Sequence, residues 1–92
     1  MSGEFEYTPG FKRDVREIVR EMRRGPADRK PLVDFLIRET MRRVVYHDGR
    51  PNGAKEVYPG IWEYSVINRL WLRYTVDPVR FISLSRIPYR RP

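Results

Sequence analysis

The chain has 92 residues, 40% of them hydrophobic, so it is long enough for one hydrophobic core and we expect a single domain over residues 1–92. It contains no cysteine, which excludes disulfides and thiolate zinc sites, and no apolar run approaches the ~18 residues of a membrane span. The formal net charge of +7 favours a polyanionic partner, whereas no metal, cofactor or membrane partner is expected, and a cytoplasmic protein is predicted.

The first predicted elements are a short edge strand and an amphipathic helix. Residues 4–7 alternate between polar and apolar side chains, as in a short strand. Thr8 and Pro9 then match the preferred residues for a helix N-cap and first helical position. We interpret the arginines of this helix as a solvated surface rather than as a nucleic-acid contact. The predicted apolar stripe of the helix consists of Phe11, Val15, Ile18, Val19 and Met22.

A second helix is expected after a break at Gly25 and Pro26. It should begin between residues 28 and 31 and end near Arg43. Glycines and prolines make residues 47–60 a loop, with at most a short extended stretch over residues 55–58. The predicted buried side of the second helix consists of Leu32, Val33, Leu36, Ile37, Thr40 and Val44.

The last third of the chain predicts three short strands in a meander, with turns at residues 67–69 and 77–78. The sequence thus predicts an α+β fold, in which a two-helix hairpin packs on one face of a small antiparallel meander sheet and a short N-terminal strand is added. The side chains expected to face the helices are Trp62, Tyr64, Val66, Leu70, Leu72, Tyr74, Val76, Ile82 and Leu84. Those expected on the opposite face are Glu63, Ser65, Trp71, Arg73, Thr75, Phe81, Ser83 and Ser85, with Arg86, Tyr89, Arg90 and Arg91 at its end.

Most of the excess charge lies in these strands. Residues 64–92 contain six arginines and one acid, a net +5 of the overall +7. Arginines interleaved with aromatic residues on one sheet face indicate a surface that binds phosphates and stacks on bases. An outward Trp71 would serve as a stacking platform or as an anchor for a protein partner. The predicted RNA-binding residues are Ser65, Arg69, Trp71, Arg80, Arg90 and Arg91.

Two side chains are candidates for a general base. His47 is the only histidine and lies beside Asp48 in a turn-forming stretch, so we interpret it as a turn residue. Glu63 is better placed, although a carboxylate that faces arginines also fits the part of a salt-bridge partner.

The chain also resembles a known family. The order strand, helix, helix, meander is similar to that of the RelE/ParE toxin superfamily of bacterial toxin–antitoxin systems. The stretch FEYTPGFKRDV resembles the opening strand and helix start of that family, and GIWEYSVINRLWLRYTVD resembles its central hairpin. The ending FISLSRIPYR is similar to the close of the YoeB-like branch. For its nuclease members, the resemblance implies entry into the ribosomal A site and mRNA cleavage through attack of the ribose 2′-OH on the adjacent phosphate.

The resemblance also implies roles for individual residues. Tyr89 falls where the YoeB-like branch has its terminal tyrosine, and Arg86 falls where it has an arginine. Glu63 and Ser65 occupy hairpin positions that are often charged in the family. Cleavage needs a proton acceptor, cations for the phosphorane-like charge and an acid for the leaving oxygen. The implied catalytic set is Glu63, Arg73, Arg86 and Tyr89.

Two positions depart from the family pattern. Trp71 stands where the phosphate-binding arginine of the hairpin is expected, and Pro88 stands where the C-terminal histidine is expected. Arg73 lies two residues along the same face, about 7 Å away, and is close enough to replace the arginine. Any cleavage is therefore expected to be slow relative to that branch.

Three functions remain open at this stage. The first is an endoribonuclease toxin that acts on RNA at the ribosome. The second is a non-catalytic relative that inhibits DNA gyrase or binds RNA without cutting it. The third is a basic protein whose surface chiefly serves a partner, such as an acidic antitoxin. The charge of the last strands and the ending SRIPYR favour the RNA-directed toxin.

Overall fold

Two helices and five strands make up the computed structural model, which describes residues 5–21, 30–67 and 69–89. The helices are α1 (Pro9–Glu21) and α2 (Lys30–Tyr46). The strands are β1 (Glu6–Tyr7), β2 (Lys55–Tyr58), β3 (Ile61–Ile67), β4 (Leu70–Thr75) and β5 (Arg80–Ser85). They form one sheet in the order β1-β5-β4-β3-β2, in which β2 to β5 are an antiparallel meander and β1 is parallel to β5.

The predicted α+β architecture is confirmed, with two refinements. The extended stretch expected at residues 55–58 pairs with β3 and becomes a fourth meander strand. The parallel β1 makes the sheet mixed. Among the described residues, neither helix has the length and apolar character needed to cross a membrane. The predicted break at Gly25 and Pro26 and the predicted contact of Met22 lie outside the described residues.

Thr8 is the N-cap of α1, as predicted, and its side chain also forms a hydrogen bond with β5, which is distant in the sequence. Its Oγ1 accepts a hydrogen bond from the Phe11 N–H at 3.0 Å, the geometry of an N-cap. The same hydroxyl donates to the Ile82 carbonyl of β5 at 2.8 Å. One turn later, the Asp14 carboxylate accepts from the Leu84 N–H at 3.1 Å. The start of α1 is therefore fixed on β5 by side-chain hydrogen bonds.

The hydrophobic core lies between the two helices and one face of the sheet. Leu32, which was predicted to be buried, is 58% exposed. The buried side of α2 instead follows Val33, Ile37, Met41 and Val44 at helical spacing, which turns Leu32 outward. Among the described residues, the buried core consists of those four residues with Phe11, Ile18, Val19, Leu70, Leu72, Tyr74, Phe81 and Leu84.

Phe81 corrects the prediction for β5. It was expected on the face away from the helices, yet it is fully buried and its ring lies 5.6 Å from that of Phe11. The register explains the difference, because Tyr74 pairs with Phe81 while Arg73 pairs with Ser83, so Ile82 is an extra residue in a bulge. The bulge turns both Phe81 and Leu84 toward the helices and leaves Ile82 half-buried outside the core.

Candidate functional site

The face of the sheet that points away from the helices, here called the outer face, is built from alternating residues of three strands. Strand pairing arranges them in two rows across the sheet. One row is Ser65, Trp71 and Ser85, and the other is Glu63, Arg73 and Ser83. The predicted alternation of β3 and β4 is therefore correct, and Trp71 is half-buried between two serines rather than fully exposed.

The Glu63 carboxylate holds the outer face together. Its side chain is only 8% exposed, and Oε2 accepts hydrogen bonds from Arg73 Nε and from the Tyr89 N–H, both at 3.0 Å. Arg73 Nη2 donates to the Ile87 carbonyl at 2.7 Å. Residues 86–89, here called the C-terminal strap, are thus bound to the sheet by charge-assisted hydrogen bonds, which are stronger than neutral ones.

The strap places Tyr89 beside Arg73 and Tyr58. The Arg73 guanidinium carbon lies 5.9 Å from the centroid of the Tyr89 ring, within cation–π range. The Tyr58 ring lies 6.3 Å from the Tyr89 ring at an angle of 67°. Tyr58 is 55% exposed. These three residues, here called the stacking cluster, combine a cation with two aromatic faces next to solvent.

Two serine hydroxyls on the outer face form hydrogen bonds with nearby backbone groups. Ser85 Oγ donates to the Ile87 carbonyl at 3.0 Å and accepts from the Ile87 N–H at 3.2 Å, which shapes the turn into the strap. Ser65 Oγ donates to the Ile67 carbonyl at 3.1 Å. Ser65 therefore caps the end of its own strand, and its predicted contact with RNA would have to replace that bond.

Several predicted site residues lie outside the stacking cluster. Arg86 was expected to converge with Arg73 and Tyr89, but its guanidinium pairs with the Glu21 carboxylate at the end of α1. Arg80 lies 3.9 Å from the Glu6 carboxylate at the edge of the sheet. Arg69 is exposed in the turn before β4. Arg90 and Arg91 lie outside the described residues.

The two candidate bases differ in what surrounds them. Glu63 Oε2 already accepts two hydrogen bonds in a nearly buried position, so its geometry suits positioning of Arg73 and Tyr89 better than proton abstraction. His47 is exposed in the turn after α2, as predicted, and its ring packs edge-on against Tyr46 at 5.0 Å. Within the described parts of the chain, no group of three His, Asp or Glu side chains could hold a metal ion.

Sequence reasoning missed Tyr58 and the backbone of the strap. Tyr58 immediately precedes the Pro59–Gly60 turn, and its place beside Tyr89 follows from the pairing of β2 with β3, for which the sequence carries no motif. The Ile87 carbonyl and the Tyr89 N–H carry no signal in the sequence, because any residue supplies them. Only the return of the chain across the sheet makes them partners of Arg73 and Glu63.

Comparison with known proteins adds little to this site. No family model and no curated protein matches the sequence. Among solved structures, the chain is similar to one in the crystal structure of the E. coli DinJ–YafQ complex, with 23% sequence identity over 91% of this chain and 92% of that chain and a TM-score of 0.47. At this identity and TM-score, the likeness supports no conclusion about activity or partner.

Proposed function

We propose that this protein is a toxin of the toxin–antitoxin type that acts on RNA through the outer face of its sheet. The stacking cluster is the observation that carries this function, because Tyr58, Arg73 and Tyr89 come from three separate parts of the chain and meet at one place, where Tyr58 is exposed and the other two are half-buried. Unpaired bases stack on such aromatic faces, and a guanidinium binds the phosphates between them.

Arg73 keeps donors for a ligand. Its Nε and Nη2 groups bind Glu63 and Ile87, and Nη1 binds no acceptor among the described residues, so the Nη1 donors can bind a phosphate oxygen. The two internal bonds also fix the guanidinium plane, so little side-chain entropy remains to be lost when a phosphate binds. Glu63 acts here as the positioning residue that orients both Arg73 and Tyr89.

The charge of the surrounding chain supports a nucleic-acid ligand. Residues 64–92 carry six arginines and one acid, and two of these arginines directly follow Tyr89. A single-stranded ligand suits the cluster better than a duplex, because stacked bases inside a duplex do not reach protein aromatics. This favours single-stranded RNA over duplex DNA as the nucleic-acid ligand, and inhibition of DNA gyrase, a protein target, stays the alternative.

We further propose cleavage of mRNA at the ribosome by attack of the ribose 2′-OH on the adjacent phosphate, which forms a 2′,3′-cyclic phosphate and breaks the bond from phosphorus to the 5′-oxygen. Arg73 would stabilise the charge on the phosphate, the 2′-OH proton would pass to water, and the Tyr89 hydroxyl would donate a proton to the leaving 5′-oxygen. Arg86 would join them only after leaving its ion pair with Glu21.

A specific observation favours a second candidate, in which the protein inhibits by occupancy alone. Glu63 is engaged by two donors, and His47 is remote in the turn after α2, so neither carboxylate nor imidazole is poised as a base. An RNA-bound but uncut complex would result from the same stacking and phosphate contacts.

Binding is tested by replacing Tyr58, which touches Tyr89 and leaves the bonds of Glu63 intact. Tyr58→Ala should weaken binding of a fluorescent single-stranded RNA by about 1–3 kcal/mol for the stacked base that is lost. Tyr46→Ala, at an exposed tyrosine on α2, is the matched control and should bind as the wild type does. Equal losses in both variants would show that the stacking cluster is not the RNA site.

The salt dependence of RNA binding gives an independent check. Each phosphate neutralised should contribute a slope of about 0.7 in log K against log salt for a single strand. An affinity independent of salt would contradict a phosphate-binding surface.

Cleavage is tested with purified ribosomes and messages that carry a 2′-deoxy or 2′-O-methyl ribose at the cut position. These changes should abolish cleavage, measured by primer extension, while binding is retained. Growth arrest with intact messages, unchanged in Tyr89→Phe and Glu63→Gln, would reject the nuclease and leave inhibition by occupancy.

A further inference from the structure

A second surface lies on the side of α2 that faces away from the core. Val33, Ile37, Met41 and Val44 bury the other side of this helix. Opposite them are five residues spaced alternately by three and four positions, which is the spacing of a contact seam between two helices. These five residues, here called the α2 stripe, are Leu32, Phe35, Glu39, Arg42 and Tyr46.

The two ends of the α2 stripe are apolar and open to solvent. Leu32 and Phe35 are each 58% exposed, and Tyr46 is 72% exposed. Leu32 and Phe35 lie about one helical turn apart, so they form a patch rather than two isolated side chains. Large apolar side chains that line one side of a surface helix are typical of an interaction surface.

The centre of the α2 stripe is charged but balanced. Arg42 Nη1 lies 2.8 Å from Glu39 Oε1, and the two side chains are 74% and 44% exposed, so both also reach a partner. Most of the excess charge of the chain, +5 of +7, lies in residues 64–92 and therefore outside α2. The neutral stripe is thus a part of the surface that a second positively charged copy can approach.

We infer that a second copy of this chain packs on the α2 stripe in antiparallel orientation. The two-fold axis passes between residues 40 and 41, and each position faces the position of the second copy that is equally far from the axis. Phe35 then faces Tyr46 of the second copy, and Glu39 faces Arg42 of the second copy. Symmetry repeats both contacts, so one alignment gives two aromatic contacts and two ion pairs.

Other arrangements and occupants match the α2 stripe less well. A parallel pair of helices would oppose Glu39 to Glu39 and Arg42 to Arg42, which is repulsive. A nucleic acid would gain no net positive charge from the stripe, because its acid and its base cancel. An unrelated protein does not need the aromatic pair and the charged pair to be centred on the same point, whereas a two-fold contact does.

The inference does not depend on the proposed function. The α2 stripe lies in the helix layer, so pairing leaves the outer face of both sheets open. The stripe is about four helical turns long. A contact of this length is at the small end of specific interfaces, roughly 1,000 Å² in total, so we expect a weak dimer with a micromolar Kd.

Sedimentation equilibrium over a wide range of protein concentration tests the pairing. Glu39→Arg should raise the dimer Kd about tenfold or more, because it opposes two arginines at both symmetric contacts. The charge swap Glu39→Arg, Arg42→Glu should restore the Kd to within about threefold of the wild type. The matched control is Asp34→Arg, which makes the same charge change and removes the neighbouring ion pair with Arg38 but lies off the stripe. It should leave the Kd nearly unchanged.

Cysteine cross-linking tests the alignment, because the natural chain has no cysteine. Under mild oxidation, Phe35→Cys mixed with Tyr46→Cys should form a disulfide-linked dimer several-fold faster than either variant alone, since the alignment opposes positions 35 and 46. The matched control is Phe35→Cys mixed with Tyr58→Cys, at an aromatic residue of similar exposure on β2. This control mixture should link no faster than its components.

Circular dichroism should be the same for the wild type and all variants, which separates loss of pairing from loss of folding. A monomer at every concentration, equal effects of Glu39→Arg and Asp34→Arg, or failure of the charge swap to restore the dimer would each overturn the inference. Fastest linkage in Phe35→Cys alone would overturn it too. None of these measurements involves RNA, so the inference and the proposed function fail separately.

Discussion

The two sides of β4 show how one strand serves two purposes. Leu70, Leu72 and Tyr74 point to the helices and are buried, whereas the alternating Trp71 and Arg73 lie half-buried on the outer face. The inner side is stabilised by apolar packing. The outer side is ordered by charge-assisted hydrogen bonds to the strap. Substitutions on the inner side should therefore change global stability, and those on the outer side should change local order and binding.

The sharpest test of this division is Leu72→Ala. Leu72 is completely buried, and losing it leaves a cavity that should cost about 3 kcal/mol of unfolding free energy, measured by urea denaturation. The control is Ser83→Ala on the outer face of the neighbouring strand, expected to change stability by less than about 0.5 kcal/mol. Similar losses in both variants would mean that the two sides do not differ in their contribution to stability.

A second test removes hydrogen bonds on the outer side of the sheet only. Glu63→Ala removes the acceptor for Arg73 Nε and for the Tyr89 N–H, which should destabilise the strap by about 2 kcal/mol. Hydrogen exchange at the Tyr89 amide should accelerate, whereas exchange in the core of β4 should change much less. Glu17→Ala, at an exposed position of α1, serves as control. Uniform acceleration through the whole sheet would show that strap and core open together.

A third test uses Tyr74, a buried ionisable residue on the inner side. Burial raises the pKa of Tyr74, whose hydroxyl donates to the Gly49 carbonyl at 2.8 Å. A raised pKa favours the neutral form in the folded state, so this stability is present below the unfolded pKa of about 10 and is lost as the pH rises above it. The slope should reach about 1.4 kcal/mol per pH unit.

Tyr74→Phe should flatten that alkaline loss, at the expense of the hydrogen bond to Gly49, and Tyr46→Phe should leave it unchanged because Tyr46 is exposed. Urea titrations between about pH 8 and pH 11 measure the difference. The same alkaline slope in Tyr74→Phe would assign the loss to another group.

The smallest expected effect lies in the turn that joins the two strands of the hairpin. Arg69 has a φ of 71°, a left-handed conformation that costs a non-glycine residue about 1 kcal/mol. Arg69→Gly should relieve this strain and raise stability by about 0.5 kcal/mol, partly offset by backbone entropy. The same change should lower the salt slope of RNA binding if Arg69 contacts a phosphate. A more stable variant with an unchanged slope would remove Arg69 from the RNA-binding set.

Local signals in the sequence predicted most of the fold. Thr8 and Pro9 identified the start of α1, and the alternation of β4 identified its two faces, because capping and strand periodicity depend on neighbouring residues alone. Leu32 was misplaced because a helix whose apolar residues surround much of its circumference does not show which side meets the sheet.

Features that depend on contacts between distant residues could not be predicted from the sequence. The bulge at Ile82 reverses the side chain of Phe81, and nothing in the hydrophobic pattern indicates where an extra residue enters a strand. The ion pair between Arg86 and Glu21 depends on tertiary packing, because the two residues are distant in the sequence. The same is true of the hydrogen bond that the Tyr89 N–H donates to Glu63. Arg73, Arg86 and Tyr89 were predicted to converge at one end of the outer face. Arg73 and Tyr89 do lie together there, whereas Arg86 pairs with Glu21, and the catalytic roles of all three stay predictions.

The attachment of α1 to β5 has a consequence for synthesis of the protein. Thr8 needs the Ile82 carbonyl, and Asp14 needs the Leu84 N–H, so the attachment of α1 to β5 cannot form until residues 82–84 have been made. Contacts between such distant residues are slow to form and appear late in folding. While β5 is still inside the ribosome, the outer face that this strand completes does not exist. Assembly of the outer face therefore waits for β5, and a nascent chain that lacks this strand also lacks the strap that holds Tyr89 beside Arg73.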